Sequence, residues 1–379
     1  MKKYFYCFED TGRSGYAGGQ RITDYFIDNC QKKDSTILFT VFDRGYNKKL
    51  EEILLSRRVR YFSLSKGKRY MPLILWVAFC IKQALTFKNK FNVIYTPNRS
   101  SSFVFGLFFS IFPKQKNIWV IHDHMVGKTN NLLINIYNHF AKKSDCRIFS
   151  SSYCRSFYKI KELGLKTEIF GGIVANDIPD INDKDIYFEK ILKKNKDFVE
   201  DSGGSVISVL YVGRINKEKG IFDLVEIWKN EYQSFKGNPS IYLYICGTGR
   251  FQEISELKKL IPKNGNIFYL GEINVSKRFY SLFDIGIVPS WEYRESLGLT
   301  AFEMAFHIKK VLISSKGNVF KELFKIKGIN KLSKKNISKQ IKELYSLKIR
   351  SNQLNNKYFL NEKIVIDNLI GKLKSKKDL

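Results

Sequence analysis

Along the chain, short runs of apolar, β-branched and aromatic residues alternate with longer stretches of helical periodicity. That rhythm predicts βαβ units and parallel sheets. In the first half it predicts strands near Lys3–Phe8, Thr36–Phe42, Arg60–Leu64, Asn92–Tyr95, Asn117–Ile121 and Arg147–Ser150. Helices are expected between them, the clearest near Arg21–Cys30, Met71–Phe87, Ser102–Phe112 and Leu132–Lys142. From Asn176 the pattern lapses into polar and charged residues and closes on Asp201-Ser202-Gly203-Gly204. The alternation then resumes, with strands near Ser205–Val212, Ile241–Cys246, Ile267–Leu270, Asp284–Pro289 and Val311–Ser314. The pattern therefore predicts an α/β protein of two successive domains, 1–180 and 205–350, joined by a linker at 181–204. A last helix, 351–379, carries Tyr358, Phe359, Ile364, Val365, Leu369 and Ile370 and runs into a lysine-rich tail.

Composition narrows the class. The 379 residues exceed one compact core, and 44% apolar content belongs to a globular chain. Six scattered cysteines show no Cys-x-x-Cys pair, so they read as small hydrophobes in a reducing compartment. Glu9 and Asp10 stand where a signal peptide would still be apolar. The uncharged windows Met71–Ile81 and Phe103–Phe112 fall short of the roughly 20 residues a membrane span needs. A cytoplasmic protein is expected.

Sixty-five basic against thirty-six acidic residues leave a net charge of +29, which points to an anionic partner. Arg57-Arg58-Val59-Arg60 and Lys66-Gly67-Lys68-Arg69 precede one apolar helix, while Arg99 and Lys114 bracket another. Basic residues beside apolar helical faces suit the anionic inner surface of the cytoplasmic membrane. Nucleic acid is the rival partner. It is disfavoured because the aromatics fall at core periods and no recognition motif is present.

Open parallel sheets bind ligands at the carboxyl ends of their strands, so the residues following each strand are the candidates for chemistry. The strand ending at Val212 runs into Gly213-Arg214-Ile215-Asn216-Lys217-Glu218-Lys219-Gly220. A glycine turn feeding a helix offers backbone N–H groups to a phosphate, and Arg214 and Lys219 add a fork donor and a point charge. A solvated basic turn has the same composition. The next strand ends in Gly247-Thr248-Gly249, where ligand backbone could approach closely, although such a turn is often only a tight bend. Further on, Pro289-Ser290 ends a strand, a loop carries Glu295, and a helix is expected to begin near Ser296. Ser296, Leu297, Gly298 and Leu299 form its start and Glu303 follows two turns beyond Glu295, where the two carboxylates could hold hydroxyl groups or be ordinary helix residues. In the first half, Thr11–Gln20 is a glycine-rich turn and Ile118–Ile121 ends in His122-Asp123-His124, a cluster too polar for a core by pattern alone.

The order V-G-R-x4-K-G, then G-x-G, then P-S followed by E-x7-E, spread over Leu210–Phe320, resembles the nucleotide-binding half of a GT-B glycosyltransferase of family 4. The resemblance implies two facing Rossmann-like domains around a deep cleft, with the C-terminal helix crossing back to the first. It implies that Arg214 and Lys219 contact the donor diphosphate, that Glu295 lies at the transferred sugar and that Glu303 bonds the ribose. Gly213, Gly247, Gly249 and Ser296–Leu299 would line the donor, Gly18 and Gly19 would close over it, and His122 would meet the sugar. The implied reaction is a retaining transfer, without metal or other cofactor, from a UDP- or GDP-linked sugar to a lipid-linked or glycan acceptor. Bacterial O-antigen or capsule synthesis is the expected setting. A GT-B epimerase, or a non-enzymatic basic protein binding nucleic acid, is the alternative. One departure stands out: where the family usually has small residues and Gly-x-Pro, this chain has Met304-Ala305-Phe306-His307-Ile308-Lys309-Lys310.

Overall fold

The computed structural model describes residues 3–348 apart from 10–22, 25–26, 29, 33–34, 47, 66–71, 87–91, 113–116, 124–129, 150–151, 160–166, 170–185, 187, 191, 194–203, 236–239, 263–264, 274, 292–297, 316–322 and 326. Two compact units are built on Met1–Val174 and Ala175–Asn356.

The first unit holds a seven-stranded parallel sheet of β1 (Lys3–Glu9), β2 (Ile37–Asp43), β3 (Arg60–Ser63), β4 (Asn92–Thr96), β5 (Ile118–Asp123), β6 (Cys146–Phe149) and β7 (Thr167–Ile169). Its order is β3-β2-β1-β4-β5-β6-β7, so the winding reverses between β1 and β4. Its helices are α1 (Lys48–Ser56), α2 (Leu73–Thr86), α3 (Arg99–Ile111), α4 (Asn131–Ala141) and α5 (Ser152–Phe157). The second unit repeats the plan with β8 (Val206–Val212), β9 (Ser240–Cys246), β10 (Ile267–Gly271), β11 (Ile285–Ser290), β12 (Val311–Ser315) and β13 (Ile329–Lys331), ordered β10-β9-β8-β11-β12-β13. Its helices are α6 (Ile221–Asn230), α7 (Tyr232–Phe235), α8 (Phe251–Leu260), α9 (Lys277–Ser281), α10 (Leu299–His307) and α11 (Ile337–Ser346). Both sheets are doubly wound, and in such sheets a ligand site forms beyond the carboxyl ends of the strands where the order reverses. Those places are β1/β4 and β8/β11.

Local chemistry explains where the elements begin. α3 starts at Arg99, before the predicted Ser102, because the Asn98 side chain accepts the Ser101 N–H at 2.9 Å and caps the helix. Gly106 then lets α3 lie against α4: a Cβ there would stand 2.7 Å from the Cβ of Phe140. Together with α2, these helices bury Trp76, Cys80, Phe105, Phe109, Ile134 and Tyr137 in one apolar cluster over the sheet.

The edge strands β7 and β13 have only three residues each, with no alternation for the sequence pattern to catch. They are strands because β6 and β12 pair with them. Within the polar stretch, Ile186, Phe188–Lys190 and Leu192–Lys193 are helical, and Phe188 and Leu192 are buried. Phe188 packs edge-on against Phe279, and Arg278 grips both Glu189 oxygens at 2.7–3.0 Å, so this piece is docked on the second unit. The expected helix at 351–379 and the glycine turn at 11–20 lie outside the described residues.

Candidate active site

At the carboxyl end of β8, the loop Gly213–Gly220 is held by backbone bonds to the turn after β9. Gly213 donates to the Cys246 carbonyl at 3.0 Å and Ile215 to the Thr248 carbonyl at 2.8 Å. This pairing decides which residues can stand in the neighbouring turn. A Cβ on Gly247, whose φ is +145°, would fall 1.8 Å from the Gly213 oxygen; one on Gly249 would fall 2.2 Å from that of Ile215. The G-x-G spacing is thus required by two loops packed backbone to backbone, which makes the floor of the site rigid.

The basic loop continues through a short 3-10 turn, Lys217–Lys219, capped by the Asn216 side chain on the Lys219 N–H at 3.0 Å. Gly220, at φ +71°, starts α6, and its missing Cβ leaves room for the Pro289 carbonyl at the end of β11. Gly220 therefore brings the basic loop into contact with the strand across the switch point. Arg214 is exposed, and no described residue forms a hydrogen bond or ion pair with its guanidinium; Lys219 is half-buried on the same loop. Tyr211 donates its hydroxyl to the Arg214 carbonyl at 2.8 Å, fixing that backbone while the side chain stays in solvent. A cation held this way is available to an anionic ligand.

Beyond β11, helix α10 begins at Leu299, three residues later than predicted. Gly298 precedes it with φ +69°, a left-handed turn that glycine adopts without steric cost. Leu299 is buried on the helix. Glu303 is 1% exposed, and the Tyr280 hydroxyl donates to its Oε2 at 2.6 Å, so it is no ordinary surface glutamate. A buried carboxylate gripped by a tyrosine is pre-oriented to accept further hydroxyl protons. His307 stacks on the same Tyr280 ring, with ring centres 5.8 Å apart. Sequence reasoning missed Tyr280; only the fold brings α9 against α10. Glu295, Ser296 and Leu297, like Gly18, Gly19 and His124, lie outside the described residues.

In the first unit the expectation for His122-Asp123 needs correction, because both residues are buried. Asp123 accepts from Arg147 Nε at 2.5 Å and from the Tyr137 hydroxyl at 2.7 Å. The Arg147 guanidinium lies 5.0–5.2 Å from the ring centres of Tyr137, Phe149 and Tyr158. Its Nη2 has no hydrogen-bond partner, and those ring faces take the place of one. Burial is the largest single influence and works against the charge, but Asp123 together with the Tyr137 and Tyr158 hydroxyls outweighs it and raises the Arg147 pKa. Burial, reinforced by Asp123, pushes the Tyr137 and Tyr158 hydroxyls well up. Pattern reading missed this pair because Asp123 and Arg147 are 24 residues apart and meet only across β5 and β6. His122 bonds through Nδ1 to the Tyr95 hydroxyl at 2.6 Å. Among the described residues no three His, Cys, Asp or Glu side chains converge as a metal site.

Residues 193–358 match the family model of glycosyl transferases group 1. The chain is similar over its whole length to solved structures at 14–16% identity. One is Anabaena Alr3699/HepE in complex with UDP and glucose, at 14% identity and TM-score 0.65, with 99% of this chain and 100% of that one covered. Another is a glycosyltransferase from Rickettsia africae ESF-5, at 16% and 0.68, with 99% of both chains covered. A third is the sucrose-phosphate synthase of Thermosynechococcus elongatus, at 15% and 0.68, covering 99% and 98%. No curated protein sequence matches. The fold is therefore GT-B. The match of residues 193–358 to the glycosyl transferases group 1, on this fold, supports a glycosyltransferase.

Proposed function

We propose that this glycosyltransferase moves a sugar from a UDP- or GDP-linked donor to a lipid-linked or glycan acceptor, with retention and without a metal, in the making of a bacterial surface polysaccharide such as O-antigen or capsule. The observation that carries the donor site is Arg214: an exposed guanidinium, unpaired among the described residues, on a rigid loop at the switch point of the second sheet. As the bond from the anomeric carbon to the diphosphate oxygen breaks, negative charge grows on the leaving group. Arg214 and Lys219 neutralise it, the role a metal plays elsewhere. Glu303 takes the ribose hydroxyls, Glu295 orients the sugar and His122 bonds one of its hydroxyls. Gly18 and Gly19 close over the phosphate, while Ser296, Leu297, Gly298 and Leu299 line the donor beside Gly213, Gly247 and Gly249. UDP is the first donor base to try, since HepE is the neighbour that binds UDP and glucose.

The acceptor side is proposed to meet the anionic inner face of the cytoplasmic membrane. Helices α2, α3 and α4 pack side by side on one apolar cluster, yet their outer faces also carry Leu73, Ile74, Leu75, Leu107, Ile111 and Leu133, each 41–76% exposed. Lys82, Lys142 and Lys143 are exposed on or beside those helices. Apolar side chains rimmed by lysines fit an anionic lipid surface, each basic residue near it contributing roughly 1 kcal/mol. No helix of the described residues is long and apolar enough to cross a membrane.

Calorimetric titration with UDP and with GDP, EDTA present throughout, tests the donor reading. Saturable binding of one nucleotide, weakened about 100-fold or more in Arg214→Ala, is expected. Binding of neither would remove the donor assignment.

A further inference from the structure

We propose that Tyr280 and His307 are positioning residues that set the Glu303 carboxylate for a ribose diol, so that the site selects a ribonucleotide over its 2′-deoxy form. The inference rests on the proposed place of Glu303 at the donor ribose. What it adds is the pair of side chains that orients that carboxylate.

Rotamer preference alone fixes a glutamate carboxylate poorly, because rotation about its last bond is broad. A contact from outside the side chain must set the plane in which its lone pairs lie. Tyr280 supplies such a contact: its hydroxyl donates to Glu303 Oε2 at 2.6 Å, and both side chains are buried.

The Tyr280 ring is held in turn. Glu303 and His307 lie one turn apart on the same face of α10. The His307 imidazole stacks on the Tyr280 ring with the two planes 15° from parallel. One helix thus meets the tyrosine twice, with a carboxylate at its hydroxyl and an imidazole at its face. His307 stands in the segment where the resemblance leads one to expect small residues, so the stack is a feature of this chain. α9, which carries Tyr280, has only five residues and depends on its neighbours for its place. Ser276 caps it by accepting the Phe279 N–H at 2.9 Å, Phe279 packs against Phe188, and Arg278 grips Glu189.

A ribose offers two neighbouring hydroxyl protons, and a carboxylate turned to face both can accept them together. A 2′-deoxyribose offers one. A carboxylate whose plane is set beforehand loses less freedom on binding, so more of the second bond appears as selectivity.

Dissociation constants for UDP and 2′-deoxy-UDP, measured by calorimetry on the full chain, test the proposal; GDP and 2′-deoxy-GDP replace them if the site takes guanine. The wild type should favour the ribonucleotide by about 10-fold or more. Tyr280→Phe keeps the ring and its stack but removes the hydroxyl. The ribonucleotide should then bind about 10-fold more weakly while the deoxy form changes little, so the ratio falls toward one. His307→Ala, at a half-buried position, tests the same contacts without opening the buried site. It should lower the ratio by a smaller factor, and His307→Phe, which can still stack, should keep it. Equal weakening of both nucleotides in Tyr280→Phe, or a lower thermal midpoint with the ratio intact, is what a merely structural role gives and overturns the proposal. Glu303→Gln separates the two readings. If it erases the preference and Tyr280→Phe does not, the ribose assignment stands and the positioning roles fall. A wild type that binds both forms equally loses the ribose assignment, and the proposal with it.

Discussion

In the first unit, sixteen large apolar side chains stand out into solvent among the described residues, most of them on α2, α3 and α4; in the second there are five, scattered. The two sheets have the same winding, so topology is not the cause. The first unit instead places polar groups inside, where Asp123 and Arg147 pair beneath three aromatic rings, Thr23 bonds Glu9 and Tyr95 bonds His122. The second keeps cations at its surface, Arg214 above all, over a floor of glycines. A doubly wound sheet whose apolar core also holds ion-paired and hydrogen-bonded groups, and whose helices carry an apolar skin, suits lipid contact. One with an apolar core and exposed cations suits an anionic nucleotide.

The comparison breaks most forcefully at Arg147. Arg147→Ala leaves Asp123 as an uncompensated buried charge and should cost about 3–5 kcal/mol. Hydrogen exchange should show the loss across β5 and β6 while UDP binding by the second unit survives. Next is Arg214→Ala, expected to lower kcat/KM by about 100-fold or more. Its thermal midpoint should not move, because the side chain touches no described partner. Replacing Leu73, Ile74 and Leu75 together by serine should reduce sedimentation with anionic vesicles by about 10-fold or more, from the apolar area lost. Unfolding stability should be unchanged, and an unaltered vesicle affinity would sink the lipid-facing assignment of α2. The smallest effect lies at Lys309, which ends α10 with φ +71°, the left-handed conformation. The family resemblance leads one to expect glycine in this region. Lys309→Gly should therefore stabilise the second unit by about 1 kcal/mol, read as a raised denaturation midpoint.

Most strands could be read from the pattern because a strand buried on both faces needs an unbroken apolar run, as in Val206–Val212 and Ile118–Ile121. The edge strands β7 and β13 could not, since pairing with a neighbour rather than composition makes them strands. The same division holds in the site. Arg214, Lys219 and the glycines announce themselves by spacing on one loop. Tyr280 on Glu303, and Arg147 on Asp123, join residues 23 and 24 positions apart on different elements.

The sequence alone determined the α/β alternation, the division into two halves and the basic loop, because each depends on neighbours along the chain. Only the tertiary structure decided that Gly247 and Gly249 serve loop packing, that Glu303 is buried and that His122 is buried against the Tyr95 hydroxyl. Those are contacts between separate strands and helices. Their energy comes from excluding water around groups that the sheet, and not the chain order, brings together.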